Sequence, residues 1–75
     1  MASAKTMADP KFPHIHVKLT GEDGNSFAIL GKVAVAMRDA RIDQREIDAY
    51  RERAMASDYD HLLRVTMETV DVSFS

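Results

Sequence analysis

The sequence contains no cysteine and no tryptophan, and its 75 residues include only 3 glycines and 2 prolines. Without cysteine, the chain can form neither a disulfide framework nor a cysteine-ligated zinc site, which excludes these two common ways of stabilising a small domain. A chain of this length forms one domain, whose core rarely supplies more than about 3–5 kcal/mol. Self-association is the remaining common source of stability, and we therefore expect a homodimer.

Long apolar runs and an excess of one charge are also missing. No stretch approaches the about 18 apolar residues that a membrane span needs, and the first residues contain no apolar leader. The 10 basic and 12 acidic residues give a formal net charge of −2, which provides no overall attraction to nucleic acid or to an anionic membrane. We expect a soluble, cytoplasmic protein without membrane contact.

Alternating polar and apolar residues predict two strands, at residues 14–19 and 70–74. A period of two is typical of a strand with one buried face. Residues 1–12 show neither a strand nor a helix period, and we interpret them as a flexible N-terminal tail. Residues 13–75 then form a single small domain.

Three helices are predicted between the strands. The first covers residues 26–40 and has an apolar stripe at spacings of three and four, formed by Phe27, Leu30, Val33, Ala34 and Met37. Gly31 lies inside this helix and predicts a close approach by another element. Asp43 and Glu46 resemble a capping box that begins the second helix, and Ile42 with Ile47 resembles a hydrophobic staple.

The third helix begins after Ser57 or Asp58, and its inward side is predicted from the residues Leu62, Leu63, Thr66, Met67 and Val70. The fold class is therefore α+β, a small strand-helix-helix-helix-strand domain with a two-stranded sheet and three helices packed on one face. A two-stranded sheet is only marginally stable by itself, and its two open edges can add another strand. The open edges are a second reason to expect a homodimer.

Two runs of the sequence, GEDGNSFAILG at residues 21–31 and DYDHLL at residues 58–63, carry a family resemblance. The chain resembles a family of short uncharacterised proteins encoded by bacteria, phages and mobile elements, over roughly residues 14–72. The resemblance implies a shared fold unit and, from the family's association with phages and mobile elements, a regulatory or inhibitory role on a protein partner. It implies no activity and no mechanism.

The loop from Gly21 to Asn25 is the first candidate site, because it joins a strand to a helix N-terminus. Free N–H groups and the helix dipole at such a place can bind a phosphate or a carboxylate. However, the spacing is not that of a P-loop, and Glu22 and Asp23 put negative charge where an anion would bind. The loop is either a small anionic-ligand site or a turn with a helix cap.

His14 and His16 lie two residues apart on the first strand and share a face, and Asp71 on the second strand is a potential third metal ligand. No fourth ligand is evident, so we interpret the histidines as solvent-facing and assign no metal. The polar strand face and the loop together form the predicted binding surface, which comprises His14, His16, Lys18, Glu22, Asp23, Gly24 and Asn25.

The run Asp58-Tyr59-Asp60-His61 combines groups that act in acid–base catalysis. At a helix start these aspartates serve as caps, His61 can orient towards Asp58, and no nucleophile pairs with them. We assign no catalytic residue and no cofactor. The expected function is a non-enzymatic binding or regulatory module that contacts an unidentified protein.

The alternative function is a nucleic-acid-binding regulator, whose candidate contact residues are Arg38, Arg41 and Arg45. Acidic residues are interleaved with these arginines, which is typical of a solvated helix face. A nucleic-acid surface usually shows a one-sided positive charge and stacking aromatics. Binding that weakens steeply as salt rises would distinguish nucleic acid from a mostly apolar protein partner.

Overall fold

A computed structural model describes residues 10–20 and 25–74. The elements follow the order β1 (Phe12–Leu19), α1 (Ser26–Asp39), α2 (Gln44–Ala54), α3 (Tyr59–Thr69) and β2 (Val70–Phe74). The predicted α+β fold, with its strand-helix-helix-helix-strand order and its paired strands, is confirmed. In the described part of the chain, no helix has the length and apolar character needed to cross a membrane.

The two strands run parallel, with His16 of β1 beside Asp71 of β2. Parallel neighbours cannot be joined by a tight turn, and here the three helices form the crossover. The first strand begins at Phe12, earlier than the predicted residue 14, and its register is irregular between Phe12 and His16. Pro13 lies in this irregular segment, where its missing N–H does the least harm to the ladder.

Each helix begins at a side-chain cap that accepts a hydrogen bond from a backbone N–H. The pairs are Asn25 Oδ1 with Phe27 (2.8 Å), Asp43 Oδ1 with Arg45 (3.0 Å) and Asp58 Oδ1 with His61 (3.0 Å). Such caps stabilise a helix by about 0.5–2 kcal/mol each. The caps therefore explain why helices begin at these residues of the sequence.

The capping box predicted at the start of α2 is wrong in its second half. Asp43 caps the helix, but the Glu46 carboxylate accepts a hydrogen bond from Lys11 Nζ at 2.7 Å. This ion pair ties the residue before β1 to α2. The predicted staple is consistent with the packing, because Ile42 lies against the core in which Ile47 is buried.

The core lies between the inward face of the sheet and the three helices. Its buried apolar residues are Ile15, Val17, Leu19, Ile29, Leu30, Val33, Ala34, Met37, Ile47, Tyr50, Ala54, Leu62, Val65 and Val70. Two predicted inward residues are wrong, since Phe27 and Met67 are exposed. The inward stripe of α3 includes Thr69. The spacing of Thr69 fits this stripe, but threonine is less hydrophobic than methionine, so hydrophobicity alone favours Met67.

The prediction for Gly31 is also wrong. Gly31 is exposed on α1, and a Cβ built at this position has no heavy atom within 4 Å outside its own helix. No neighbouring element approaches closely enough to need the missing side chain. The glycine therefore only weakens the helix, by about 0.5–1 kcal/mol relative to alanine.

Gly31→Ala is expected to raise the free energy of unfolding by about 0.5–1 kcal/mol, because alanine restricts the unfolded backbone and adds no clash. Urea unfolding followed by circular dichroism measures the change. Ala49→Gly, at an exposed position within α2, is the matched control and should lose a similar amount. A stability that falls in Gly31→Ala would show a contact that the packing does not contain.

The first helix ends with a Schellman motif. The N–H of Ile42 donates to the Met37 carbonyl (3.0 Å), and the N–H of Arg41 donates to the Arg38 carbonyl (2.9 Å). This motif needs a left-handed residue after the C-cap, a place usually occupied by glycine. Here it is Arg41, with a φ of 65°. A side chain in this conformation costs about 1–2 kcal/mol.

Tyr50 and Thr66 form a polar contact inside the core. The two hydroxyl oxygens are 2.7 Å apart, and Thr66 Oγ1 also donates to the Leu62 carbonyl at 2.8 Å. Since the threonine proton is used on that carbonyl, the Tyr50 hydroxyl donates to Thr66. Burial raises the pKa of Tyr50 above its ordinary value of 10.0, and the hydrogen-bond contact with Thr66 offsets this rise only partly.

We expect the protein to lose stability above about pH 10 faster than its Tyr50→Phe variant. Below that pH, Tyr50 is protonated in both states and its contribution to stability is complete. Above it, the unfolded tyrosine ionises while the folded one keeps its proton, so the free energy of unfolding falls until the pH passes the raised pKa. Urea unfolding at several alkaline pH values checks this, and parallel curves for the two proteins would contradict it.

Candidate functional site

The outward face of the sheet carries the polar residues that the sequence predicts for a binding surface. His14, His16 and Lys18 alternate with buried residues along β1 and are exposed. His16 Nδ1 lies 2.6 Å from Asp71 Oδ2 on β2. The predicted approach of Asp71 to the histidine strand is therefore present, as an exposed side-chain contact of the kind that contributes at most about 1 kcal/mol.

The two histidines of β1 make different contacts. The His14 ring packs edge to face with Phe12, with 6.4 Å between ring centroids, whereas His16 pairs with Asp71. Among residues 10–20 and 25–74, no group of three histidine, cysteine or acidic side chains has the arrangement of a metal site. The described geometry therefore offers two ligands at most on this face.

The predicted loop site falls largely outside the described residues, which do not include Gly21, Glu22, Asp23 or Gly24. Its last residue, Asn25, uses its side-chain oxygen to cap α1. This contact agrees with the reading of a strand-to-helix turn with a cap. An anion site at the loop stays a prediction.

Three residues of the run 58–61 make three separate kinds of contact. Asp58 caps α3, and the His61 ring nitrogen Nε2 donates to the carbonyl oxygen of Arg53 at 2.8 Å. The expected orientation of the imidazole towards Asp58 is wrong, because the ring donates instead to a carbonyl in the last turn of α2. Tyr59 faces away into a groove with other apolar residues. The ring contact therefore joins α2 to α3 rather than assembling an acid–base pair.

A groove of about 230 Å³ lies where the starts of α1 and α3 meet the end of α2. We call it the end groove. Its apolar lining residues are Phe27, Leu30, Ala54, Met55, Tyr59 and Leu62. Leu30, Ala54 and Leu62 are buried and form its floor, while Phe27 is 73% exposed, Met55 53% and Tyr59 38%. Three large apolar side chains thus stand around one opening to solvent.

Local structure explains why these side chains are left exposed. Phe27 is in the first turn of α1, Tyr59 is the first residue of α3, and Met55 is the C-cap of α2. Residues at helix ends project past the neighbouring helices, so the core packing that covers Leu30 and Leu62 does not extend over them. Sequence reasoning missed this site because it assigned Phe27 to the core.

Arg38, Arg41 and Arg45 are all exposed near the connection between α1 and α2. The ion pairs Lys11–Glu46 and Arg53–Glu68 of the described residues involve none of these three arginines. Their guanidinium groups are therefore available to a partner. Arg41 is also the residue that adopts the left-handed conformation.

No family model, no curated protein and no solved structure matches this chain. The resemblance to short proteins of phages and mobile elements therefore stays a prediction.

Proposed function

We propose that this protein is a non-enzymatic binding module that acts through contact with another protein, and that the end groove is its principal binding surface. The observation that carries the proposal is the exposure of Phe27, Met55 and Tyr59 around one groove. Single exposed apolar residues are common on protein surfaces, but several around a concave opening are typical of an interaction site.

The residue types in the end groove favour a protein partner. Aromatic and methionine side chains are enriched in the centres of protein interfaces. Aromatic side chains bury a large area at little entropic loss. Methionine also adapts to differently shaped partners. Polar groups from Ser26, Ser57 and Asp58 line the same groove, which supplies the polar rim that such interfaces have. An apolar side chain of the partner would fill the opening.

The sequence also predicts a homodimer, a cytoplasmic location and a regulatory role. These predictions are part of the proposal, in which one surface serves self-association and another serves the unidentified partner. The polar sheet face, with His14, His16 and Lys18, is the second surface open to that partner. Its side chains are exposed and mostly hydrogen-bonding, so it suits a polar partner better than an apolar one.

Photo-crosslinking in the protein's own host tests the end groove. A benzophenone amino acid replaces Phe27 in one variant and Val35 in another, and both positions are exposed apolar positions of α1. The proposal predicts a discrete protein adduct from position 27 that is absent from position 35. Equal adducts from both positions, or none from position 27, would contradict binding at the end groove.

Nucleic-acid binding is the second candidate function, and the backbone of Arg41 favours it. Glycine would fit this left-handed position without strain, so a side chain here is best explained by a contact that it makes elsewhere. The neighbouring Arg38 and Arg45 lack ion pairs in the described residues. Together the three arginines can contact phosphates.

Arg41→Gly separates this function from stability. The variant is expected to be up to about 1 kcal/mol more stable than the wild type, because the strain is removed. If the arginines bind phosphates, the same variant should bind a fluorescent oligonucleotide more weakly, with a smaller salt dependence. Unchanged binding by this more stable variant would remove Arg41 from any such site.

A further inference from the structure

The outer edge of β2 has no neighbouring strand among the described residues. In residues 10–20 and 25–74, β2 pairs with β1 alone, in a sheet of two strands. A strand edge presents unpaired N–H and C=O groups and can add another strand. Apolar residues accompany this edge, since Met67 is 46% exposed and Phe74 61% exposed, and both line a shallow groove beside Val70 and Val72.

The outer edge of β1 is less suited to pairing. Pro13 has no N–H to donate, and Lys18 carries an exposed charged side chain. Proline and lysine are the residues that commonly protect an edge strand from a second chain. Residues 70–74 contain neither. The structure thus distinguishes a protected edge from one that is open in the described residues.

We propose that β2 pairs antiparallel with β2 of a second copy of this chain, about a two-fold axis at Val72. The result is a continuous four-stranded sheet with the helices of both copies on the same face. This inference deepens the proposed function and rests on it, because it gives the surface through which the binding module self-associates. A closed two-fold contact also satisfies both β2 edges at once.

The side chains of β2 match this register. Val70 faces Phe74 of the second copy, and Val72 faces its own equivalent, so the apolar residues meet on the helix side of the sheet. Pairs of an aromatic and a β-branched residue stabilise an antiparallel sheet by about 0.2–1 kcal/mol. Exposed Phe74 and Met67 would both become covered, which accounts for their apolar character.

Charge also selects the register. With the axis at Val72, Asp71 faces Ser73 of the second copy, a carboxylate opposite a hydroxyl donor. With the axis one residue earlier, Asp71 would face its own equivalent, and like charges directly opposite destabilise a sheet. With the axis one residue later, only residues 72–74 of the described chain would pair. The Val72 register pairs all five residues of β2 without an unfavourable charge contact.

Single-cysteine variants test the register directly, because the chain has no cysteine of its own. Facing residues in an antiparallel pair have Cα atoms about 4.5–5.5 Å apart, within the range that a disulfide spans. Val72→Cys is therefore expected to form a covalent dimer under mild oxidation. Val35→Cys, on the exposed side of α1, is the matched control and should form far less. Equal yields, or no covalent dimer from Val72→Cys, would overturn the proposed register.

Analytical ultracentrifugation over a concentration series tests the dimer without cysteine. The wild type and Val35→Lys should show the same monomer–dimer equilibrium, and Phe74→Lys should weaken it at least about tenfold, equivalent to about 1.4 kcal/mol. Because Phe74 and Val35 are both exposed, neither lysine should unfold the monomer, which circular dichroism verifies. A wild type that stays monomeric at its highest soluble concentration, or a dimer that Phe74→Lys leaves unchanged, would overturn the proposal. Either result would overturn the β2 contact without contradicting binding at the end groove, since the two surfaces share no lining residue.

Discussion

Ile29→Ala is expected to leave a large fraction of the protein molecules unfolded, whereas Phe27→Ala should leave the stability of the protein nearly unchanged. The two residues lie two positions apart on α1, but Ile29 is 1% exposed and Phe27 is 73% exposed. Removing a buried isoleucine costs about 2–5 kcal/mol, which is close to the whole stability of a domain this small. Surface substitutions usually change stability by less than about 0.5 kcal/mol.

Urea unfolding monitored by circular dichroism checks both variants. The comparison tells whether Phe27 serves the fold or serves binding, because a side chain that stabilises nothing in the isolated chain has no structural reason to be phenylalanine. Leu30→Ala, on the buried floor of the end groove, provides a second reference and should resemble Ile29→Ala. A loss of 2 kcal/mol or more in Phe27→Ala, on the scale of a core substitution, would place Phe27 in the core and remove the main support for the end groove.

Thr66→Val is expected to destabilise the protein more than Tyr50→Phe, although valine has the shape of threonine. Thr66→Val leaves the Tyr50 hydroxyl buried without an acceptor, which costs about 1–3 kcal/mol. Tyr50→Phe removes the donor and leaves Thr66 with its hydrogen bond to the Leu62 carbonyl, so its cost is about 0.5–1.5 kcal/mol. The direction of the hydrogen bond thus determines which variant is worse.

The double variant completes the test. Tyr50→Phe/Thr66→Val has no buried hydroxyl without a partner, so it should be less destabilised than the sum of the two single variants, by about 0.5–3 kcal/mol. Equilibrium unfolding of the four proteins gives this coupling energy. Additive single effects would mean that the 2.7 Å contact contributes no specific stability.

The sequence predicted those parts of the fold that local signals determine. Asp43 and Asp58 are cap residues in the structure, and alternation at residues 70–74 correctly marked a strand although no glycine or proline precedes it. The parallel direction of the strands does not follow from any local signal. It depends on how three helices return the chain across the sheet, which is a property of the tertiary packing.

The candidate surfaces were harder to predict, because exposure depends on where neighbouring elements end. Helical periodicity assigns Phe27 and Met67 to the apolar side of their helices, yet both are exposed, since no neighbouring element of the described residues covers them. The backbone conformation was equally hard to predict from the sequence at Gly31 and Arg41. One glycine occupies a place where no special conformation is needed, and an arginine occupies the left-handed place where glycine is usual.

Crosslinking from position 27, compared with and without Met55→Asp, is the measurement that tests the central claim most directly. Met55 is exposed at the end of α2 and lines the end groove, so an aspartate there should leave the fold intact while placing a charge in the opening. The account predicts that the adduct from position 27 disappears in the Met55→Asp background, while the circular dichroism spectrum stays the same. An adduct that persists unchanged would show that the protein's partner does not bind in the end groove.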